Sequence, residues 1–170
     1  MSGAARGLAP EPLGADVFAP FGRVLRIDDA PSRVVNEGRA VRRELGPPLL
    51  HHGPAARPAA ALFAIEPSPG PVQLAVAERH PLSEQLFWPL DVARWLAVVF
   101  PAGADGGPDA SGARAFVAGP DVCLIYAPGV WHAPLVALDR RGLLAMRMVE
   151  SGTADDCHEV RLAVPVECPV

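Results

Sequence analysis

From Ala61 onward the apolar residues fall into short runs separated by turn residues. Residues 62–65 are apolar and stop at Pro67-Ser68-Pro69-Gly70. Residues 72–77 alternate weakly and pass into Glu78-Arg79-His80-Pro81. Residues 94–100 are strongly apolar and end at Pro101. After a Gly/Asp loop, 113–118 stops at Gly119-Pro120, 122–126 at Pro128-Gly129, and 135–138 at Asp139-Arg140-Arg141-Gly142. The runs 143–149 and 160–166 complete the series. Short apolar runs at this spacing with turn signals between them predict about eight or nine strands and a barrel or sandwich. No long amphipathic helical pattern competes with them.

The first part of the chain reads differently. Phe18 and Phe21 lie three residues apart and predict a short helical turn, followed by a strand over 23–27. Residues 28–58 are polar and rich in Pro and Arg, with little periodicity, and are expected to cover an edge or a mouth. Residues 1–12 are expected as a flexible tail before a single domain over 1–170. They carry one arginine and no apolar stretch, so no secretory signal is read there.

The chain has 170 residues and a net charge of -4. All 15 of its basic residues are arginine. Without lysine, Schiff-base chemistry and the lysine-dependent phosphate loop are excluded, and with them class I aldolase, pyridoxal-phosphate and nucleoside-triphosphatase mechanisms. A mildly acidic chain with no basic stripe is a poor partner for nucleic acid. No apolar run approaches the ~20 residues that span a bilayer. Cys123, Cys157 and Cys168 are odd in number and scattered, which points to reduced thiols and a cytoplasmic location.

Two segments concentrate chemistry. The first, Glu78 to Pro89, packs a carboxylate, a guanidinium, an imidazole, a hydroxyl and an amide behind a strand. If the strand pattern continues, Glu78 and His80 share one face and Arg79 takes the other. The second, Tyr126-Ala127-Pro128-Gly129-Val130-Trp131-His132-Ala133-Pro134-Leu135, has a Pro-Gly turn followed by an aromatic and a histidine. It resembles the second motif of cupins, with one extra residue between glycine and histidine. His51 and His52 are adjacent and point oppositely on a strand. Asp155 to Glu159 reads as a solvated turn. Glu78, His80 and His132 could form a set of two histidines and one carboxylate around a divalent metal. Equally, each histidine could be a satisfied core residue.

Together the two segments resemble the ureidoglycolate lyase family of the cupin superfamily. The family run E-R-H-P-L-x-x-Q-x-F-x-P is met by Glu78, Arg79, His80, Pro81, Leu82, Gln85, Phe87 and Pro89. Tyr126, Val130, Trp131, His132, Pro134 and Leu135 fit the later motif. Weaker matches are Pro12, Leu13, Phe18, Phe21, Gly22 and Val24, then Asn36, Gly38 and Arg42, and finally Gly152 to Cys157. Ala133, Arg43, Val149 and Asp156 depart from the family pattern. The resemblance implies an all-β, cupin-like double-stranded jelly-roll barrel with a few short helices, and a homodimer.

The resemblance further implies cleavage of ureidoglycolate, an anionic ureide, to glyoxylate and urea in allantoin and purine breakdown, without a required cofactor. The reaction is an elimination. A hydroxyl loses its proton as the C–N bond breaks, and the urea nitrogen gains one. Catalytic candidates are His80, His132, Tyr126 and Glu78, with the acid and base roles of the histidines left open. Substrate-binding candidates are Ser83, Gln85, Arg79, Arg42 and Trp131, with Arg147 as a further carboxylate anchor. Two rival readings remain: a non-catalytic cupin that binds a small carboxylate or ureide, and a metal-dependent cupin enzyme acting on another small substrate.

Overall fold

A computed structural model describes residues 5–44, 46–53, 57–68 and 70–169. Its strands are β1 (Arg6–Gly7), β2 (Glu11–Pro12), β3 (Gly22–Arg26), β4 (Ser32–Val35), β5 (Ala40–Arg43), β6 (Arg57–Ile65), β7 (Val72–Arg79) and β8 (Gln85–Asp91). They continue with β9 (Trp95–Phe100), β10 (Arg114–Ala118), β11 (Val122–Tyr126), β12 (Trp131–His132), β13 (Val136–Ala137), β14 (Gly142–Glu150) and β15 (His158–Cys168). One sheet runs β1-β15-β7-β12-β9-β10-β2, with β13 beside β9. A second runs β3-β11-β8-β14-β6, and β4 and β5 form a separate ribbon. The only α-helix among the described residues, α1, is Ala15–Phe18. This is the all-β, cupin-like jelly roll with few short helices that the sequence implied.

The main core lies between the two sheets. Phe87, Leu124, Tyr126, Leu144 and Met146 from the second sheet meet Trp95, Ala97, Val99 and Phe116 from the first, with Phe18 and Phe21 of the α1 region packed among them. Leu96, Val98 and Phe100 face a second cluster with Trp131, Leu74 and Val166. Strand β9 is therefore buried on both faces, which is why its sequence is an unbroken apolar run instead of an alternating one.

Three segments differ from the sequence expectation. Of the expected tail, residues 1–4 lie outside the described residues. The rest is paired: Arg6 and Gly7 run parallel to β15, Glu11 and Pro12 run parallel to β10, and Leu8 and Leu13 are buried. The polar stretch after Asp28 forms the β4–β5 ribbon, where Val34 and Val41 stay exposed and give no core-facing pattern to read. Strand β8, which contains Pro89, was hidden inside the chemistry-bearing segment.

One glycine is required by close approach. Gly22 has φ +148°, and a Cβ there would stand 1.9 Å from the Ile125 carbonyl oxygen. Its Cα partner across β3–β11 is Tyr126, so this contact sets where the tyrosine enters the barrel.

Candidate active site

Strands β7 and β12 pair so that Glu78 stands opposite His132. Side chains alternate along a strand, so Arg79 and Trp131 share the opposite face. There the Arg79 guanidinium lies 4.5 Å from the centre of the Trp131 ring, and both residues donate to the Gly106 carbonyl. His80 follows directly after β7. Its backbone carbonyl accepts from the Gly129 amide at 2.9 Å, which ties the Pro-Gly turn to the histidine.

Both imidazoles are oriented by backbone. His80 Nδ1 donates to the Asp156 carbonyl at 2.7 Å, and His132 Nδ1 donates to the Val130 carbonyl at 2.9 Å. A carbonyl can only accept, so each neutral ring carries its proton on Nδ1 and presents the Nε2 lone pair. Neither Nε2 has a hydrogen-bond partner among the described residues. His132 Nε2 lies 3.4 Å from Glu78 Oε1, and Cys157 Sγ donates to Glu78 Oε2 at 3.9 Å. Three lone-pair-bearing groups facing one another repel unless a proton or a cation lies among them.

The protonation tendencies follow from these contacts. The His132 imidazole facing it holds the Glu78 carboxyl below its ordinary value, in spite of partial burial. Burial pulls His80 below the usual histidine value, opposed by the Asp156 carbonyl. Burial pushes the Tyr126 phenol far up, so it stays neutral. The tyrosine ring lies flat on His132, its hydroxyl is buried without a partner, and Gln85, its Cα partner on β8, has an unpartnered Oε1. A cavity of about 370 Å³ opens beside the cluster, lined by Phe63, Glu78, Phe87, His132, Ala133 and Leu135.

The structure thus gathers Glu78, His80, Gln85, Tyr126 and His132. It does not gather the other candidates. Ser83 Oγ is used by backbone, accepting from Val149 N and donating to the Glu84 carbonyl. Arg79 and Trp131 point away from the cluster because strand alternation puts them on the other face. Arg42 sits on the ribbon, paired with Glu44 at 2.8 Å. Arg147 is exposed between the inward-facing Met146 and Met148.

The stretch 155–159, expected as a solvated turn, is largely exposed, and what that expectation lacks is the contact of the Asp156 carbonyl with His80 and of the Cys157 thiol with Glu78. The signal available was Thr153-Ala154-Asp155-Asp156, a Thr-x-x-acid spacing that caps a short helix. Of the departures from the family pattern, Ala133 lines the cavity, whereas Arg43 donates to Asp28 and Ala30 carbonyls on the ribbon side.

Glu78, His80 and His132 also form a possible metal-binding triad, their ligand atoms all within 4.8 Å of one another. Two imidazole Nε2 atoms with Nδ1 anchored elsewhere, plus a carboxylate, are a donor set that suits a divalent transition ion.

Known proteins resemble this chain over most of its length. A family model described as ureidoglycolate lyase matches residues 5–168. The ureidoglycolate lyase of Pseudomonas syringae pv. syringae is 32% identical over 154 residues, covering 91% of this chain and 89% of its own. That of Burkholderia mallei is 39% identical over 131 residues, covering 77% of this chain and 75% of its own. Among solved structures, a dTDP sugar isomerase from Desulfovibrio desulfuricans aligns with a TM-score of 0.51 at 17% identity, covering 83% of this chain and 85% of its own. That likeness concerns the fold alone.

Proposed function

The chain belongs to the ureidoglycolate lyase family, and on that premise we propose that it is a carbon–nitrogen lyase that splits ureidoglycolate into glyoxylate and urea in allantoin breakdown. The observation that carries the reading is four of the buried, unpartnered polar atoms: His80 Nε2 and His132 Nε2 beside Glu78, Tyr126 OH on the ring stacked against His132, and Oε1 of Gln85, the cross-strand partner of Tyr126. Buried polar atoms are rarely left unpaired in a folded protein. A small polar substrate supplies the missing partners.

The chemistry divides among these groups. His80, kept neutral by burial, takes the substrate hydroxyl proton on Nε2. The carbonyl of glyoxylate forms, the C–N bond breaks, and its electron pair goes to the urea nitrogen. His132, whose Nε2 lies 3.4 Å from Glu78 Oε1, returns a proton from Nε2 to that nitrogen. Atoms balance without water or an oxidant. Tyr126, too buried to ionise, donates a hydrogen bond, and Gln85 Oε1 accepts one from the ureido N–H groups. With Arg42, Arg79 and Arg147 pointing elsewhere, substrate charge is met by imidazolium, by the phenol and by backbone amides.

The triad geometry favours a second reading of the same site. Glu78, His80 and His132 would hold a divalent cation, which as a Lewis acid would polarise substrate oxygens. Tyr126 and Gln85 would keep the roles given above. Incubating pure protein with racemic ureidoglycolate and assaying glyoxylate and urea tests the lyase. Turnover no faster than the spontaneous reaction, with and without added divalent metal, would sink it. Elemental analysis of untagged protein separates the two readings of the triad.

Around the site, strand β6 is an edge of its sheet with Leu62 66% exposed. It supports pairing of two copies into a homodimer. The three cysteines are free thiols, and among the described residues no helix is long and apolar enough to cross a membrane. The free thiols support a reducing, cytoplasmic setting.

A further inference from the structure

The turn 151–156 stands behind His80 and has no part in the chemistry described so far. Its centre is Asp156. Asp156 Oδ1 accepts from Ser151 N at 2.7 Å and from Ser151 Oγ at 2.8 Å. Its Oδ2 accepts from Gly152 N at 2.7 Å and from Thr153 N at 3.2 Å. Thr153 completes a reciprocal cap by accepting from the Asp155 amide. A side chain that binds three backbone amides of its own turn fixes that turn internally. The same residue's carbonyl is the acceptor for His80 Nδ1. The next residue, Cys157, touches Glu78.

We infer that Asp156 is a positioning residue for His80, its carboxylate freezing the 151–156 turn so that its carbonyl holds the imidazole in the Nδ1–H tautomer with Nε2 left for the cluster with Glu78 and His132. The inference rests on the proposed role of His80 for its kinetic arm only. The physical link is short. His80 is held by one hydrogen bond through Nδ1, and that acceptor belongs to a turn in which the Asp156 carboxylate takes most of the side-chain hydrogen bonds, with Ser151 and Thr153 adding the rest. Removing the carboxylate leaves the Ser151 and Gly152 amides without their acceptor and the Thr153 amide with Ser151 Oγ alone, and the carbonyl that faces His80 loses its fixed direction. Groups that orient a working histidine from behind are worth roughly 10- to 100-fold in activity or metal affinity when removed.

The test uses Asp156→Ala, with Asp156→Asn as the conservative partner. Asn keeps the Oδ1 contacts with Ser151 and loses the Oδ2 pair. Two-bond 1H–15N imidazole spectra of the full chain, with His80→Gln used to assign the signal, read the tautomer directly. The wild type is expected to show His80 protonated at Nδ1. Asp156→Ala is expected to show a tautomeric mixture, kcat lower by roughly 10- to 100-fold and KM changed far less, with Asp156→Asn in between. An unchanged His80 signal in folded Asp156→Ala overturns the inference, whether or not activity falls. If Asp156→Ala does not fold, the same spectra on Asp156→Asn and Ser151→Ala decide. Failure of wild-type protein to turn over ureidoglycolate would count against the lyase reading and leave the spectroscopic arm standing.

Discussion

Tyr126 lies flat against His132, with ring centroids 4.0 Å apart and planes 11° from parallel. The stacking comes from the main core, where Tyr126 also meets Phe18 and Phe87 at ring-centroid distances of 5.9 and 6.2 Å. The ring therefore has a packing role that is separable from its hydroxyl. Tyr126→Phe keeps the ring and removes the unpartnered donor. Stability is expected to change little, because no hydrogen bond within the protein is lost. The kcat value is expected to fall on the order of 100-fold, as for other single donors to a developing charge. Steady-state kinetics check this, and an unaltered kcat would remove the phenol from the mechanism.

Glu78 titrates against groups on three elements: His132 on β12, His80 after β7, and Cys157 before β15. Its carboxyl is held below the ordinary value, chiefly by the facing His132 imidazole. Such a group adds stability above its unfolded-state value and loses that stability as pH falls through the lower folded-state value. Glu78→Gln should therefore lose stability at neutral pH and show a flatter acid limb in urea-denaturation curves taken across pH. In turnover, Glu78→Gln removes the carboxylate that faces His132 Nε2 at 3.4 Å, and kcat is expected to fall.

Substituting either histidine removes a proton-transfer group. His80→Gln and His132→Gln should each reduce kcat by about 10²- to 10⁴-fold. If the triad instead holds a metal, the same variants should lose bound metal in elemental analysis, and chelation of the wild type should reproduce their loss of activity.

Gly22→Ala would force a methyl group into the Ile125 carbonyl at a φ that L residues avoid. The expected cost is about 3 kcal/mol or more, from overpacking and backbone strain together. Urea unfolding measures it. A loss under 1 kcal/mol, well below the ~3 kcal/mol these effects predict, would show that β3 can shift away from β11.

The thiols should separate by accessibility. Burial pushes Cys123 and Cys168 each up to about 11, whereas Cys157 is exposed. Brief iodoacetamide treatment of native protein is expected to modify Cys157 first, as read by peptide mass spectrometry. Because Cys157 touches Glu78, that adduct should also slow turnover.

The strand pattern was legible where burial is one-sided or complete. Residues 122–126 were read at the bounds of β11, and the apolar run behind β9 was found to within one residue. The β4–β5 ribbon escaped notice because it has no buried face to impose a period. Strand β8 escaped because its residues looked like chemistry. In the candidate site, the family motifs pointed to Glu78, His80, Gln85, Tyr126 and His132, which the fold brings together. Strand alternation also gave the face of Arg79 opposite Glu78, whereas Arg42 and Arg147 could not be placed, because nothing in the sequence showed which sheet or ribbon their strands would join. Likewise a carbonyl acceptor such as that of Asp156 leaves no mark in a side-chain pattern.

The two faces of β7 and β12 carry opposite chemistry. Glu78 and His132 stand on one, Arg79 and Trp131 on the other. A slip of one residue exchanges the faces of a strand. For β7 it would bring a guanidinium to where a carboxylate belongs and send the carboxylate out against an indole. The Arg79–Trp131 stack on Gly106 thus works as a parity check on strand pairing: a barrel closed in the wrong register would forfeit the stack and invert the sign of charge in its own cavity.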